Sequence, residues 1–598
     1  MNRRQFLQGA AFFTVVGATP GLLTACSSSS DDETAYAFPQ GLASGDPKDS
    51  SVVFWSRVVP ASGADATTGS IAVRLEVSTS SDFSSFVAQV NLTATADYDF
   101  TVRAKVTQLK PDTVYYYRFA AGKSVSEVAR SKTAPLATTA NERVRFAWFT
   151  CQDWSVNHWE AMRLLAQEDL DFVVHVGDYI YETVGADFQT GKVDPKHAVI
   201  KLPDGLPGKG GGVYANTVND YRTLYRTYKS DARLQAIHQK FPVIAIWDDH
   251  EFSDDCWQDH QTYTNENKQE TARRRNATQA WAEYTPIDFG DVSFDLKASG
   301  HQNIRIYRDF RFGKLVHLLM TDERLYRDDH VVDERVVAGE LGHDPVNGND
   351  LLGARYFVPQ SILQKLETLA TAKLGRAPSI LGTTQTQWWK DTLKGSDATW
   401  KIWGNEIMLS RLWADLSRPD LNVPPPYNQV YVLNCDSWDG YPSHKAELLN
   451  YLEAQKITNV VAITGDLHSF QCGTVRSNPT DAKSPVVLVD FLTAGISSHS
   501  FYSYIKEGAA ANPVLGALVK SPEVFDGALK MFNPDFSYVD NNAQGYASAT
   551  VTNDSMVVIF NKVKPLAEDG KVPAEPLLKR TRITLAKDST APQVEDNV

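Results

Sequence analysis

Four short stretches of this 598-residue chain carry oxygen, nitrogen and sulfur donors just after apolar, strand-like runs. The stretches read FTCQDW, HVGDYIYE, IWDDHEF and ITGDLHS, and the apolar runs are residues 146–149, 172–176, 243–247 and 460–464. An open α/β sheet collects its chemistry at the carboxyl ends of its strands, so four such ends predict one shared metal site. The predicted metal ligands are Cys151, Asp178, Tyr181, Asp249, Asp466 and His468.

The types of donor favour two kinds of metal ion. A phenolate from Tyr181 and a thiolate from Cys151 are strong donors that favour iron of high charge over magnesium or calcium. Tyr181 follows Asp178 by three residues, so a single turn brings both side chains to the same ion. Asp178 has two oxygens with which to bridge two ions, and the other two aspartates suit calcium, magnesium or manganese. The pattern therefore predicts a mixed metal site.

Taken singly, each stretch also has a purely structural explanation. The acids and the tyrosine fit capped or solvated turns, and Cys151 fits one more buried thiol. Among the remaining histidines, His158, His175, His317 and His444 are expected to be structural, whereas His499 follows another strand-like run and is a candidate to approach the site. The shared position of the four stretches after apolar runs favours the common site.

The first 25 residues have the layout of an export signal. A twin arginine, Arg3-Arg4, precedes the apolar run of residues 9–23, and Leu23-Thr24-Ala25-Cys26 resembles a lipoprotein cleavage box. We expect cleavage before Cys26, a lipid on that cysteine and a flexible tether over residues 26–37. The alternative is an uncleaved membrane anchor. With the signal cleaved, the protein is expected in the periplasm or cell envelope, where the lipid is its only contact with the membrane.

Composition narrows the class of protein. The formal net charge is −13, and loss of Arg3 and Arg4 with the signal makes it about −15. Without a basic stripe, the chain is not expected to bind nucleic acid through charge. A hydrophobic content of 42% fits a soluble globular protein, which we expect to be a monomer, and the length indicates more than one domain. Cys256, Cys435 and Cys472 are expected to be buried or partly paired.

The alternation of apolar residues changes along the chain and predicts its domains. Residues 38–134 show short alternating runs separated by turn residues, typical of a β-sandwich. Residues 143–586 alternate apolar strands with helical patterns, typical of a layered α/β domain. Residues 201–212 are predicted as a surface loop and residues 331–356 as a lid or exposed insertion. The polar tail, residues 587–598, is predicted to be disordered.

The order Cys, GDxxYE, DDHE and GDxH resembles the alkaline phosphatase D (PhoD-like) branch of the calcineurin-like metallophosphoesterases. The resemblance extends from about residue 38 to residue 560 and includes further segments in the same order. Those segments are FPQGLASGDP at residues 38–47, DERLYR at 322–327, GTTQTQW at 382–388, residues 400–408 with Asn405, WDGYP at 438–442, Asn533-Pro534 and Gly545-Tyr546.

The resemblance implies an α/β fold with a calcineurin-like layered β-sheet core and an N-terminal all-β sandwich. It also implies a ferric ion, Fe(3+), held by Cys151, Asp178, Tyr181 and His468. A calcium ion, Ca(2+), is implied next to it, with Asp178 as the bridge and Asp249 and Asp466 as further ligands. Where the family often has asparagine after DDHE, this chain has Asp254 and Asp255, so the calcium ligands stay open.

The function implied is that of an exported phosphoester hydrolase acting on small monoesters, diesters or both, by attack of a metal-bound hydroxide. His250 matches the family's phosphate-facing histidine and is expected to protonate the leaving alkoxide or to hydrogen-bond the phosphoryl group. Arg324 matches the arginine that contacts phosphate. The alternatives are a phosphodiesterase or phospholipase with an all-divalent site, and a non-catalytic surface lipoprotein.

Overall fold

The structure is a computed structural model that describes residues 13–18, 34–61, 69–189, 191–208, 211–262, 267–332, 355–509 and 515–598. Most of the predicted signal, including Cys26, and most of the predicted insertion at residues 331–356 lie outside these ranges. Within them, no helix is both long enough and apolar enough to cross a bilayer.

The N-terminal part of the chain consists of strands, as its alternation predicts. They are β1 (Thr14–Gly17), β2 (Tyr36–Ala37), β3 (Leu42–Gly45), β4 (Ser51–Arg57), β5 (Val59–Pro60), β6 (Ser70–Ser78), β7 (Ala88–Thr95), β8 (Thr101–Thr107), β9 (Val114–Ala121), β10 (Ser124–Val125) and β11 (Ala129–Lys132). Strands β10, β9, β6 and β7 form one sheet, with β11 paired to β9. The apolar face of this sheet packs on β4, where the rings of Phe54 and Tyr117 lie 4.7 Å apart.

The rest of the chain adds strands of both large sheets and several short hairpins. The strands are β12 (Arg143–Phe149), β13 (Phe172–Val176), β14 (Thr183–Val184), β15 (Leu206–Pro207), β16 (Val213–Tyr214), β17 (Pro242–Ile246), β18 (His260–Gln261), β19 (Lys268–Gln269), β20 (Ser293–Phe294), β21 (Ile304–Arg305), β22 (Arg308–Phe312), β23 (Val316–Met320), β24 (Val358–Pro359), β25 (Trp400–Gly404), β26 (Trp413–Asp415), β27 (Val430–Val432), β28 (Val460–Thr464), β29 (Phe470–Arg476), β30 (Val486–Leu492), β31 (Phe536–Asp540), β32 (Gln544–Thr552), β33 (Ser555–Val563), β34 (Leu577–Ala586) and β35 (Gln593–Asp596).

The larger of the two main sheets crosses the predicted domain boundary. Its strand order is β1-β8-β4-β3-β17-β13-β12-β32-β33-β34-β35. Strand β3 pairs in parallel with β17, placing Ser44 opposite Pro242 and Gly45 opposite Val243. Part of the N-terminal region is therefore hydrogen-bonded directly to the sheet that carries the candidate site, rather than standing apart from it.

The second main sheet has the order β22-β23-β25-β28-β30-β29-β31 and shares a core with the first. Phe172 stacks on Phe146 of its own sheet at 5.2 Å and on Phe312 of the second sheet at 4.0 Å between ring centroids. The four stretches therefore do not all follow strands of one sheet. Three of the stretches follow strands of the first sheet and the fourth follows β28, because the core packs two sheets together.

Helices cover the sheets and fill the connections between strands. They are α1 (Glu160–Gln167), α2 (Val218–Tyr228), α3 (Ala232–Lys240), α4 (Thr271–Tyr284), α5 (Gln360–Leu374), α6 (Gly382–Gly395), α7 (Pro442–Ala454), α8 (Phe501–Ala509), α9 (Leu515–Leu518) and α10 (Pro522–Phe532). Thr217 begins α2 with a capping box, in which its side chain accepts from the Asp220 N–H and Asp220 binds back to the Thr217 backbone.

The prediction that residues 587–598 are disordered is wrong. Strand β35 pairs antiparallel with β34 at the edge of the first sheet. Two exposed ion pairs join the strands, Arg582 with Glu595 at 3.0 Å and Lys579 with Asp596 at 3.1 Å. The polarity that indicated disorder instead provides partners of opposite charge for the neighbouring strand.

Candidate metal centre

The predicted ligands lie where strands of the two sheets end. Strands β12, β13 and β17 are parallel neighbours in the first sheet, so the loops that follow them emerge side by side. These loops carry Cys151, Asp178 and Asp249 in turn. Strand β28 of the second sheet ends at Thr464 and brings Asp466 and His468 to the same place. All four apolar runs identified in the sequence form the predicted strands.

One group of donors combines sulfur, oxygen and nitrogen. Cys151, Asp178 and His468 each offer a donor atom, and these atoms lie within 4.8 Å of one another. The hydroxyl Oη of Tyr181 donates to Asp178 Oδ2 at 3.1 Å and lies 3.3 Å from His468 Nε2. The four side chains that the family resemblance assigns to the ferric ion therefore converge. Ser498, which sequence reasoning missed, lies 2.8 Å from Tyr181 Oη through its own hydroxyl.

A second group is made mainly of carboxylates. Asp248, Asp249 and Asp466 offer oxygens within 4.8 Å of one another, as do Asp249, Asp254 and Asp255. Asp249 also lies this close to Asp178 and His250, so it joins the two groups. Asp248 was not among the predicted ligands, although the sequence places it directly before Asp249. Hard oxygen donors at this density suit a cation such as calcium.

The backbone is strained at the positions of the candidate ligands. Cys151, Asp178, Asp466 and His468 have φ values of 53°, 57°, 65° and 57°, in the left-handed region that side chains other than glycine rarely adopt. Each such residue costs roughly 1 kcal/mol or more. Strain of this kind concentrates at functional sites, because the surrounding structure holds side chains where the chemistry needs them.

Glu251 fastens two of these loops together. Its buried carboxylate accepts the backbone N–H groups of Asp178 at 3.0 Å, Tyr179 at 2.6 Å and Asp248 at 2.8 Å. The loop after β13 is thereby tied to the loop after β17. Glu251 is the last residue of DDHE, and its place in that motif was the only available signal of its role.

His250 is held by a second glutamate. Its Nδ1 lies 2.7 Å from Glu182 Oε2, and its backbone N–H donates to Asp178 Oδ1 at 3.3 Å. Burial alone lowers the pKa of His250, but the carboxylates of Glu182, Asp249 and Asp178 outweigh it and raise the pKa well above 6.5. The imidazole is thus in surroundings that favour its protonated form. Sequence reasoning had assigned no role to Glu182.

Arg324 is completely buried next to the candidate ligands Asp249 and Asp466. Its Nε donates to Asp248 Oδ1 at 2.6 Å and its Nη1 to Asp436 Oδ2 at 2.8 Å. The remaining nitrogen, Nη2, lies 3.8 Å from Asp249 Oδ1 and 3.6 Å from Asp466 Oδ1. The geometry gives this arginine the task of positioning carboxylates. The expected contact with phosphate stays a prediction.

The donor set fits strongly charged cations. Burial, followed by the charge of Asp178, raises the pKa of the Cys151 thiol, and burial with neighbouring acids raises the pKa of Asp178 and Tyr181. Burial lowers the pKa of His468 to about 4, which leaves a neutral imidazole able to donate its lone pair. A bound cation reverses the penalty on the anionic groups. Thiolate and phenolate suit high-charge iron, and the aspartates suit a harder divalent ion.

The other motif residues connect elements of the fold. Gln385 at the start of α6 accepts from the Asp322 N–H at 2.8 Å and donates to the Asp322 carbonyl at 2.7 Å. Trp438 donates to Asn405 at 2.9 Å.

The histidines expected to be structural, His158, His317 and His444, are hydrogen-bonded within the fold, and His175 is buried. Within the described residues all four cysteines, Cys151, Cys256, Cys435 and Cys472, are buried and free.

Two packed sheets with acid, thiol and imidazole donors at their strand ends define a mixed α/β enzyme with a candidate metal centre. The model of the PhoD-like phosphatase family matches residues 146–560, and the model of the PhoD-like phosphatase N-terminal domain matches residues 25–135. The chain belongs to the PhoD-like phosphatase family and is a phosphoester hydrolase. The resemblance drawn from the ordered motifs is confirmed.

Individual relatives agree with this membership. The chain is 26% identical to alkaline phosphatase D of Bacillus subtilis (strain 168) over 606 residues, covering 98% of this chain and 88% of that protein. A solved structure described as "Structure of PhoD" superposes with a TM-score of 0.72 at 24% identity, covering 94% of this chain and 92% of the other. That superposition shows that the two share a fold.

Proposed function

We propose that this protein is an exported, metal-dependent alkaline phosphatase or phosphodiesterase that releases phosphate from small organic esters. The observation that carries the proposal is the convergence of Cys151, Asp178 and His468, whose donor atoms lie within 4.8 Å of one another. The similarity to an alkaline phosphatase D over almost the whole chain supports the same reaction class.

In this proposal the two donor groups hold different metal ions. Cys151, Tyr181 and His468 would hold a ferric ion together with Asp178, which has a second oxygen for the neighbouring ion. The second ion would be calcium, held also by Asp249 and Asp466. When bound, the ions neutralise phosphoryl oxygens and acidify water. The mixture of soft and hard donors at the site supports this assignment.

The protein's own residues would orient the ester and supply a proton. The Nδ1 of His250 is engaged by Glu182 at 2.7 Å, which leaves Nε2 as the atom that would donate a proton to the phosphoryl group or the leaving alkoxide. Arg324 fixes Asp248 and directs Nη2 towards Asp249 and Asp466. Its charge would offset the negative charge that gathers at these carboxylates.

The finer features of fold and location belong to the same proposal. We assign the two packed sheets to a calcineurin-like core and the N-terminal strands to a sandwich domain. Residues 1–25 would direct export by the twin-arginine route, and Cys26 would carry the lipid anchor in the periplasm or cell envelope. The mature enzyme would be a monomer. The twin arginine and the small-residue box before Cys26 support the export route.

The test is metal content and hydrolysis measured on the same purified mature protein. We expect iron and calcium, a visible charge-transfer band from thiolate or phenolate bound to iron, and hydrolysis of a phosphomonoester or diester. Asp178→Asn should remove hydrolysis and iron together, whereas Asp420→Asn, on the exposed surface, should change neither.

Three results would contradict parts of this proposal. An Asp178→Asn protein with full activity and full iron would rule out the bridging role. Active protein that is colourless and free of iron would support the all-divalent alternative. Metal-loaded protein that hydrolyses neither ester class would favour the non-catalytic lipoprotein.

A further inference from the structure

The ring of Phe188 lies beside the imidazole of His250 and has no part in the chemistry described above. The ring centroids of Phe188 and His250 are 5.6 Å apart, and those of Phe188 and Tyr181 are 6.3 Å apart. The Tyr181 and His250 rings are themselves in contact, with centroids 4.1 Å apart. Tyr181 and His250 are buried, whereas Phe188 is half-buried. Phe188 is therefore the member of this aromatic group that solvent reaches.

The backbone around Phe188 is tied to the metal centre. Phe188 lies in the short 3-10 turn Asp187–Gln189. The buried side chain of Gln189 donates to the Asp153 carboxylate at 3.1 Å and accepts from the Ala186 N–H at 3.2 Å. Asp153 follows the candidate ligand Cys151 by two residues. The backbone that carries the ring is thus anchored beside the candidate ligands, which lowers the entropic cost of using the ring for recognition.

The same turn leads towards His499. A Cβ built on Gly191 would lie 3.6 Å from His499 Cε1, so the chain leaving the turn passes close to this half-buried imidazole. His499 had been a candidate to approach the site from sequence alone. The backbone of His499 is hydrogen-bonded to the imidazole of His468, which links this residue to the site. Phe188 and His499 are thus two half-buried residues near the candidate ligands, Phe188 beside His250 and His499 beside His468.

We propose that Phe188 is a specificity-determining residue that packs on the organic group of the ester and favours an aromatic alcohol. This inference rests on the proposed function, in which His250 faces the phosphoryl group. An ester whose phosphoryl oxygens are bound at the metal centre would direct its alcohol portion past the His250 imidazole. The ring of Phe188 lies next to that imidazole. Aromatic rings in edge or offset contact favour each other beyond the area they bury.

The test compares 3-phenylpropyl phosphate with propyl phosphate, which release similar alkoxides and differ in the ring. The wild-type enzyme should have the higher kcat/KM for the phenylpropyl ester. Phe188→Ala should reduce that preference about threefold to tenfold, chiefly through KM, with iron content and visible band unchanged. Phe188→Trp should keep the preference. Phe86→Ala, which removes an exposed ring of the N-terminal region, should have no effect.

Calorimetric binding of the matching phosphonates distinguishes a failure of the role of Phe188 from a failure of the proposed function. We expect 3-phenylpropylphosphonate to bind the wild type more tightly than propylphosphonate, and Phe188→Ala to remove this difference. If Phe188→Ala weakens both phosphonates and both esters equally, the ring merely shields His250 and the inference is overturned. If the metal-loaded wild type neither binds phosphonates nor hydrolyses either ester, the proposed function itself fails.

Discussion

Replacing Glu251 with glutamine tests whether the two ligand loops depend on one carboxylate. The change keeps the size of the side chain and replaces one acceptor oxygen with an amide NH2 group. In the wild type, Oε2 accepts from Asp178 and Asp248, and Oε1 accepts from Tyr179. The amide oxygen of glutamine can take over the first pair, but the NH2 group would then face the Tyr179 N–H as donor against donor.

The size of the effect follows from these contacts. A hydrogen bond to a charged group contributes about 1.5–3 kcal/mol, and a buried donor left without an acceptor costs a further 1–3 kcal/mol. We expect a loss of about 3–5 kcal/mol in the free energy of unfolding of the metal-free protein. Residues that orient metal ligands typically change affinity by 10–100-fold, so iron affinity should fall by about that factor.

The assay is denaturant unfolding of the metal-free protein together with titration of iron, both at pH 9. Burial raises the pKa of Glu251 to about 7, so the wild-type carboxylate is ionised under these conditions. Glu507→Gln at an exposed position of α8 is the matched control and should change the free energy of unfolding by less than about 0.5 kcal/mol. If Glu251→Gln has the same free energy of unfolding and the same iron affinity as the wild type, the view that this carboxylate positions the loops is refuted.

Three further changes have expected outcomes. Gly177→Ala should destabilise the protein and release iron, because a Cβ at this position would lie 2.3 Å from Asp248 Cβ and the backbone has a φ of 107°. The control is Gly300→Ala, because Gly300 has open space around it. Equal stability and iron content of the two variants would contradict the close approach. Tyr181→Phe should shift or abolish the visible band and weaken iron binding, and an unchanged spectrum would exclude phenolate as a ligand. Burial and Arg103 lower the pKa of Lys229 to about 7 from 10.5, so the folded state binds fewer protons than the unfolded state between those pH values and gains stability as pH rises. Denaturant unfolding at pH 7 and pH 10 should show that the wild type gains on the order of 4 kcal/mol relative to Lys229→Met, and parallel pH profiles would count against this.

The sequence alone was sufficient for the local features of the site. Each candidate ligand follows an apolar run that forms a strand, as β12, β13, β17 and β28 show. The burial pattern of a strand and the turn that ends it depend on neighbouring residues, so short-range patterns reveal them. The order of the motifs was specific enough to indicate the PhoD-like family, and the predicted donors Cys151, Asp178 and His468 do meet.

Only the tertiary structure decided which strands share a sheet and what surrounds the donors. β28 lies in a different sheet from β12, and β3 joins the N-terminal region to β17. Arg324 is buried among aspartates, and Phe188 lies beside His250. These arrangements result from strand pairing and packing between residues far apart in the chain. No spacing along the sequence measures such distances, because the hydrogen bonds and core contacts that set them form only when the whole chain folds.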